Sequence, residues 1–336
     1  MSEARHKRLL VLFPGALGDF ICFLPALRIL GDDACVDLLA RSEFADLAPP
    51  AVSVHSLERY EIRRLFAPGA WADDRVRNFF AGYAAVYSWM GAQVDEFVHH
   101  LESLSGGAAR LFPFRPRDRR SHQTDYYLSC LGALEENRRL AEIALSPQAG
   151  AWRDHFWRRQ ALTGKAVLTL APGSGGKEKN WPVENYRAVA EWWRRVTGGA
   201  VVVLIGPVEE ERGGLEVFSD CCTAVRGLSL GQAAALLARS DVYLGNDSGI
   251  THLAAAVGAR AVAVFGPSDV LQWAPRGRAV TVLSRKVACA PCADAVMKSC
   301  SHRDCLTAFS AAEVIGEIEK LPEVATLTRG GAGITV

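Results

Sequence analysis

Four short apolar runs in the second half of the chain, AVLTL (166–170), AVVVLIG (200–206), DVYLG (241–245) and RAVAVFG (260–266), are separated by stretches with helical patterning. Continuous apolar runs of this length, rich in β-branched residues, read as strands buried on both faces. Strands that alternate with helices build a parallel sheet through βαβ crossovers. The linking helices carry their own boundary marks. PVENYRAVAEWWRRV starts with Pro182 in the favoured first helical position, and NDSGITHLAAAVG stops at Gly258, where a C′ glycine belongs.

The first half repeats the rhythm with RLLVLF (8–13), a helical FICFLPALRIL (20–30) that Pro25 should kink, CVDLLA (35–40) and YAAVYSWMG (83–91). Between the halves, SPQAGAWRDHFWRRQALTGK (146–165) is amphipathic and holds no strand, so the domain junction is placed there. The expected organisation is an N-terminal domain over 1–150, a C-terminal domain over 151–320 and a tail over 321–336. A length of 336 residues fits two domains, and 49% hydrophobic against 22% charged residues lets each bury a core. The fold class expected is α/β, with two Rossmann-like, doubly wound parallel-sheet domains facing across a cleft and ligands at the carboxyl ends of the strands.

The opening MSEARHKRLLVLFPGALG, basic and then apolar, has the outline of a secretory signal. Pro14, Gly15 and Gly18 end the apolar run early and no small-residue cleavage site follows, so a first strand is expected instead. No run of 18 apolar residues occurs, and no membrane span is expected. Nine cysteines is an odd number, and Cys22, Cys35 and Cys130 lie in apolar surroundings as buried reduced thiols do, which points to the cytoplasm. The net charge of +1 offers no general attraction for nucleic acid, so an anionic partner must be met by local groups.

Three loops at strand carboxyl ends offer such groups. APGSGGKEKNWP (171–182) combines pliable backbone, the Ser174 hydroxyl, and Lys177 and Lys179 just before a helix, where amide N–H groups and the helix dipole favour anions. Its spacing is not that of a Walker A loop. GNDSGITH (245–252) repeats the theme, with Asp247, Ser248 and Gly249 at a helix entry and His252 one turn in; a plain N-cap and a packed core histidine are the structural alternative. Between them, Glu209 and Glu210 follow a strand, where a carboxylate can accept hydrogen bonds from ribose hydroxyls; a solvated helix start is the alternative. Together the three loops point to a nucleoside diphosphate held by the C-terminal domain.

The turn FPGALGDF (13–20) has glycines at Gly15 and Gly18 and ends in Asp19, which can cap the following helix, bind a ligand or do chemistry. It has only G-x-x-G, not the dinucleotide G-x-G-x-x-G, and the residue after CVDLLA is Arg41 in place of a ribose-binding acid. An NADP-dependent oxidoreductase that uses Arg41 on a 2′-phosphate is therefore the second reading, and a non-catalytic nucleotide-binding envelope-assembly protein the third.

FPGALGDFICFLPALRIL (13–30), APGSGGKEKNWPVENY (171–186) and GNDSGITHLAAAVGARAVAVFGPSD (245–269) together resemble the bacterial lipopolysaccharide heptosyltransferases, glycosyltransferase family 9, which have the two-domain GT-B fold. The similarity runs from the first strand to beyond residue 305. The resemblance implies an inverting, metal-independent glycosyltransferase with no cofactor beyond a nucleotide sugar, usually ADP-heptose, on the C-terminal domain. A lipid-linked or phosphorylated glycan acceptor would bind the N-terminal domain. It also implies Asp19 as catalytic base, with Gly15 and Gly18 keeping the acceptor-side turn low. Lys179, Asp247, Ser248, Gly249 and His252, with Ser174 in the same loop, would line the diphosphate, and Glu209 or Glu210 the ribose. The chain departs from the family where an acid often follows the third strand named above; here Ser88 and Trp89 stand there.

Two segments stand outside this set. FPFRPRDRR (112–120) and its surroundings carry Arg110, Arg115, Arg117, Arg119 and Arg120, which would suit a phosphorylated lipid core or peripheral contact with the inner face of the inner membrane; a solvated loop is the alternative. CAPCADAVMKSCSHRDC (289–305) sets Cys289 and Cys292 as a C-x-x-C pair before Cys300 and Cys305, with His302 nearby. The spacing is compatible with structural zinc, and equally with four reduced thiols or a disulfide pair.

Overall fold

A computed structural model of the chain describes residues 7–326 apart from 117–119, 136–138, 215 and 323. Two compact units divide it, one ending at Ala144 and the other starting at Leu145. The amphipathic stretch after the boundary is the helix Pro147–Arg159, capped by Ser146, whose hydroxyl accepts from the Ala149 N–H at 3.1 Å.

The first unit contains strands β1 (Lys7–Leu12), β2 (Ala34–Ala40), β3 (Val52–Ser56), β4 (Ala85–Ser88) and β5 (Ala109–Leu111). They form one parallel sheet in the order β3-β2-β1-β4-β5. Winding reverses between β1 and β4, so the loops that leave these two strands part and open a crevice at their carboxyl ends. Phe13, leaving β1, stacks on Phe23 at 4.4 Å between ring centroids, and Phe20 stacks on Phe44 at 4.3 Å. These buried rings pin the turn after β1 to the helix Leu17–Asp32, which continues through Pro25.

The second unit contains β6 (Val167–Ala171), β7 (Ala200–Ile205), β8 (Thr223–Arg226), β9 (Val242–Asn246), β10 (Ala261–Phe265) and β11 (Val280–Ser284). Its parallel sheet runs β11-β10-β9-β6-β7-β8. Here the reversal lies between β6 and β9. The four inner strands are almost wholly buried, and Leu168, Leu170, Val203, Leu244 and Val264 pack with Trp181, Tyr186 and Trp193 in one core. Pro182 immediately precedes the helix Val183–Thr197 in extended backbone, one place earlier than its expected first helical position. Gly258 does follow the Gly249–Ala256 helix with φ +80°, a conformation that favours glycine.

Both units are thus α/β with parallel, doubly wound sheets. Among the described residues no helix is long and apolar enough to cross a membrane. Cys22 is buried as expected, whereas Cys35 is exposed on β2 and Cys130 is half-buried. The apolar neighbours of Cys35 face the other side of the pleat, because successive strand residues point to opposite faces.

Candidate functional site

In the second unit the loops leaving β6 and β9 meet at the point where the sheet reverses. Lys179 Nζ donates to Asp247 Oδ2 at 2.7 Å, with the Asp247 side chain 7% exposed and that of Lys179 30% exposed. Lys177, two residues earlier, is exposed and takes no part in this pair. The Ser174 hydroxyl lies 2.6 Å from both the Gly176 carbonyl and Asn180 Oδ1, so it shapes the loop from within. Arg212 adds two outer ties, donating to the carbonyls of Ser174 and Gly175 at 3.2 Å.

The residue before Asp247 was not picked out in the sequence. Asn246, fully buried at the end of β9, accepts from the Trp181 N–H and the Tyr186 hydroxyl, both at 2.9 Å, and donates to the Pro172 carbonyl at 2.8 Å and that of Gly173 at 3.5 Å. Ser248 is the N-cap of the Gly249–Ala256 helix, and its hydroxyl lies 3.0 Å from that of Thr251. Gly249 opens the helix and leaves its first amides without a side chain to cover them. His252 is 4% exposed and belongs to the packed face of the same helix.

The two acids after β7 part company. Glu209 turns back to accept from the Gly206 N–H at 3.1 Å and lies against Gly173, where an added Cβ would come within 2.1 Å of its carboxyl group. Glu210 is exposed and pairs with Arg226 at 3.8 Å. The arrangement around β6, β7 and β9 therefore brings together the Lys179 ammonium paired with Asp247, the first amides of a helix and the Glu209 carboxylate. Such a set can hold a phosphate beside a polyol.

In the first unit, Asp19 is the third residue of its helix and 8% exposed. Its Oδ2 accepts from the Ala16 N–H at 3.1 Å, while Arg115 Nη1 donates to Oδ1 at 2.6 Å. The residue is thus both a cap and half of an ion pair. Burial disfavours the charge on Arg115, but the Asp19 carboxylate more than offsets this and raises the guanidinium above its ordinary value. Gly15 is dictated by the turn itself, since a Cβ there would lie 2.5 Å from the Phe13 ring and 2.7 Å from Asp19 Cβ. Gly18 lies within the first turn of the helix. A cavity of about 400 Å³ opens beside this pair, lined by Pro14, Trp89, Met90, Gln93, Phe114 and Arg115 among others. The Ser88 hydroxyl is bound to the Met90 backbone, donating to its carbonyl at 2.8 Å, and Trp89 is fully buried. Of the two, Trp89 lines the cavity.

The arginines do not act as one patch. Arg115 turns to Asp19, Arg110 lies over the Tyr87 ring at 5.8 Å, Arg120 is exposed, and Arg117 and Arg119 lie outside the described residues. In the cysteine segment, Cys305 is buried and its thiol is pushed up to about 11 by burial and by the neighbouring Cys292, Cys289 and Cys300. Among the described residues no group of three or more His, Cys, Asp or Glu is arranged to hold a metal ion.

Comparison with known proteins adds a family. Residues 125–301 match the model of glycosyltransferase family 9 (heptosyltransferase). The lipooligosaccharide heptosyltransferase 2 of Haemophilus influenzae is 30% identical over 138 residues, which are 38% of this chain and 39% of that protein. The curated heptosyltransferases of this kind are matched over between 32% and 52% of their length. Among solved structures, a family 9 glycosyltransferase from Veillonella parvula superposes with a TM-score of 0.74 at 20% identity, covering 98% of this chain and 99% of the other. The E. coli heptosyltransferase WaaC with ADP gives 0.60 at 19% identity, over 93% and 99%. These two likenesses are of fold.

Proposed function

The chain belongs to glycosyltransferase family 9, the heptosyltransferases, and we propose that it is an inverting transferase moving a heptose, or a closely related sugar, from a nucleoside diphosphate sugar to a glycan acceptor. ADP-heptose is the donor this reading favours, because the similar E. coli enzyme is described with ADP. The acceptor is a lipopolysaccharide core or a similar lipid-linked or phosphorylated glycan, in keeping with the curated relatives. In this reading the reaction takes place in the cytoplasm, with peripheral contact at the inner face of the inner membrane. Family membership sets aside the NADP-dependent reductase.

In the proposed reaction the second unit holds the donor and the first unit the acceptor. Lys179 and the amides at Ser248 and Gly249 take the diphosphate, Asp247 orients Lys179, and Glu209 accepts from a ribose hydroxyl. Ser174 shapes the phosphate loop, and His252 supports the helix whose amides face the anion. The acceptor oxygen then bonds to the anomeric carbon on the face opposite the diphosphate. The carbon–oxygen bond to the diphosphate breaks with its electron pair left on the phosphate oxygen, and Asp19 receives the hydroxyl proton. A carboxylate paired with a guanidinium is a weak base at neutral pH, but the hydroxyl becomes strongly acidic as its bond to carbon forms, so late transfer suffices. Charge growing on the leaving group is met by Lys179 and the helix amides, preset dipoles that need no rearrangement, and no metal enters the step.

The observation that carries this reading is the Lys179–Asp247 pair joining the loops after β6 and β9 where the sheet reverses. Calorimetric titration of the full chain with ADP, UDP, GDP and NADPH tests it. Binding of ADP in the presence of EDTA is expected; binding of NADPH with no response to any nucleoside diphosphate would overturn it.

A further inference from the structure

The loop from Pro172 to Trp181 leaves β6 and enters the Val183–Thr197 helix, and it carries Lys179, which reaches Asp247. Its glycines at 173, 175 and 176 give it a wide choice of backbone conformations, so something must hold it to one. Both of its ends are bound to a single side chain. Asn246 donates to the carbonyls of Pro172 and Gly173, where the loop begins, and accepts from the N–H of Trp181, where it ends. Its oxygen also accepts from the Tyr186 hydroxyl, one turn into the following helix.

This side chain is 0% exposed, so water competes for none of these bonds. Only a primary amide meets the demand, because the site asks for donors on one side and an acceptor on the other. A carboxylate of the same shape would face the Pro172 carbonyl with an oxygen. Asp247, the next residue, grips the same loop through Lys179, so two consecutive residues at the end of β9 hold three points of it. The Ser174–Asn180 bond closes the loop within that frame.

We propose that Asn246 is the positioning residue of the diphosphate site: by tying the start and end of the Pro172–Trp181 loop to β9, it fixes Lys179 where an anion can meet it. The inference rests on the nucleotide-sugar reading and adds to it a residue that touches no substrate. Loss of Asn246 removes the part of affinity that comes from the diphosphate and spares the part that comes from the nucleoside.

The test is titration of the full chain with ADP and with adenosine, comparing wild type, Asn246→Asp, Asn246→Ser and Thr169→Val. Thr169 is an equally buried polar residue of β6 whose hydroxyl lies 2.7 Å from that of Ser240, so its loss damages the same sheet away from the loop. The expected result is a preference for ADP over adenosine that falls about tenfold or more in whichever Asn246 variants show a cooperative melt, with adenosine affinity unchanged. Thr169→Val should lower the melting temperature and keep the wild-type preference. A folded Asn246 variant with the wild-type preference would overturn the proposal, as would an equal loss in Thr169→Val. If wild type binds neither ligand, the nucleotide reading itself falls; if wild type prefers ADP and the variants do too, only the role of Asn246 falls.

Discussion

Lys179 Nζ and Asp247 Oδ2 lie 2.7 Å apart, across 68 residues of sequence, at the point where the second sheet reverses its winding. The pair sets the cation before any anion arrives, since the carboxylate is nearly buried and the ammonium is not. Lys179→Ala should weaken ADP binding about 10–100-fold, the range expected for losing a charge-assisted hydrogen bond. It should also cost about 2 kcal/mol of stability, less than a fully buried pair because Lys179 stays 30% exposed. Calorimetry and thermal melts check the two effects separately.

Glu209 and Glu210 should behave differently despite being neighbours. Glu209 is turned in against Gly173 and the Gly206 N–H, whereas Glu210 pairs with Arg226 at 3.8 Å in the open. Glu209→Ala should weaken ADP about tenfold and erase the preference for ADP over 2′-deoxy-ADP or 3′-deoxy-ADP. Glu210→Ala should change either value by less than about twofold, because exposed pairs contribute little.

Arg115 should matter to turnover more than to donor binding. Its guanidinium holds Asp19 Oδ1 and borders the cavity beside it. Arg115→Lys keeps the charge but loses the planar fork that fixes the carboxylate. We expect kcat to fall about tenfold in that variant with the ADP dissociation constant unchanged, and Arg115→Ala to fall further and melt earlier. Steady-state kinetics alongside ADP titration separate the two.

The inner frame of both sheets could be read from the sequence, and its edges could not. The strands that stood out, among them β6, β7, β9 and β10, are inner ones whose two buried faces demand unbroken apolar runs. β3, β5, β8 and β11 are the four edges, and runs such as VSVHS and TAVR mix polar and apolar residues because one side meets solvent. The site divides along similar lines. Lys179 and the helix start at Ser248 are local signals, legible as glycine-rich loops before helices. Asn246 was hidden because its partners lie 60 to 74 positions away and all are backbone or core groups. The Arg115–Asp19 pair spans 96 positions, and nothing in a basic loop marks which arginine turns inward.

Asp19 gives the most direct test of the proposed transfer. Asp19→Asn keeps an oxygen for the Ala16 N–H and nearly the same shape, so the helix start should survive. ADP titration and transfer of heptose from ADP-heptose to a heptose-free lipopolysaccharide core, measured on the same preparation, read binding and chemistry apart. ADP affinity is expected to stay within about twofold of wild type while the transfer rate falls by about 10²–10⁴-fold, the usual contribution of a general base. Undiminished turnover in Asp19→Asn would contradict that role.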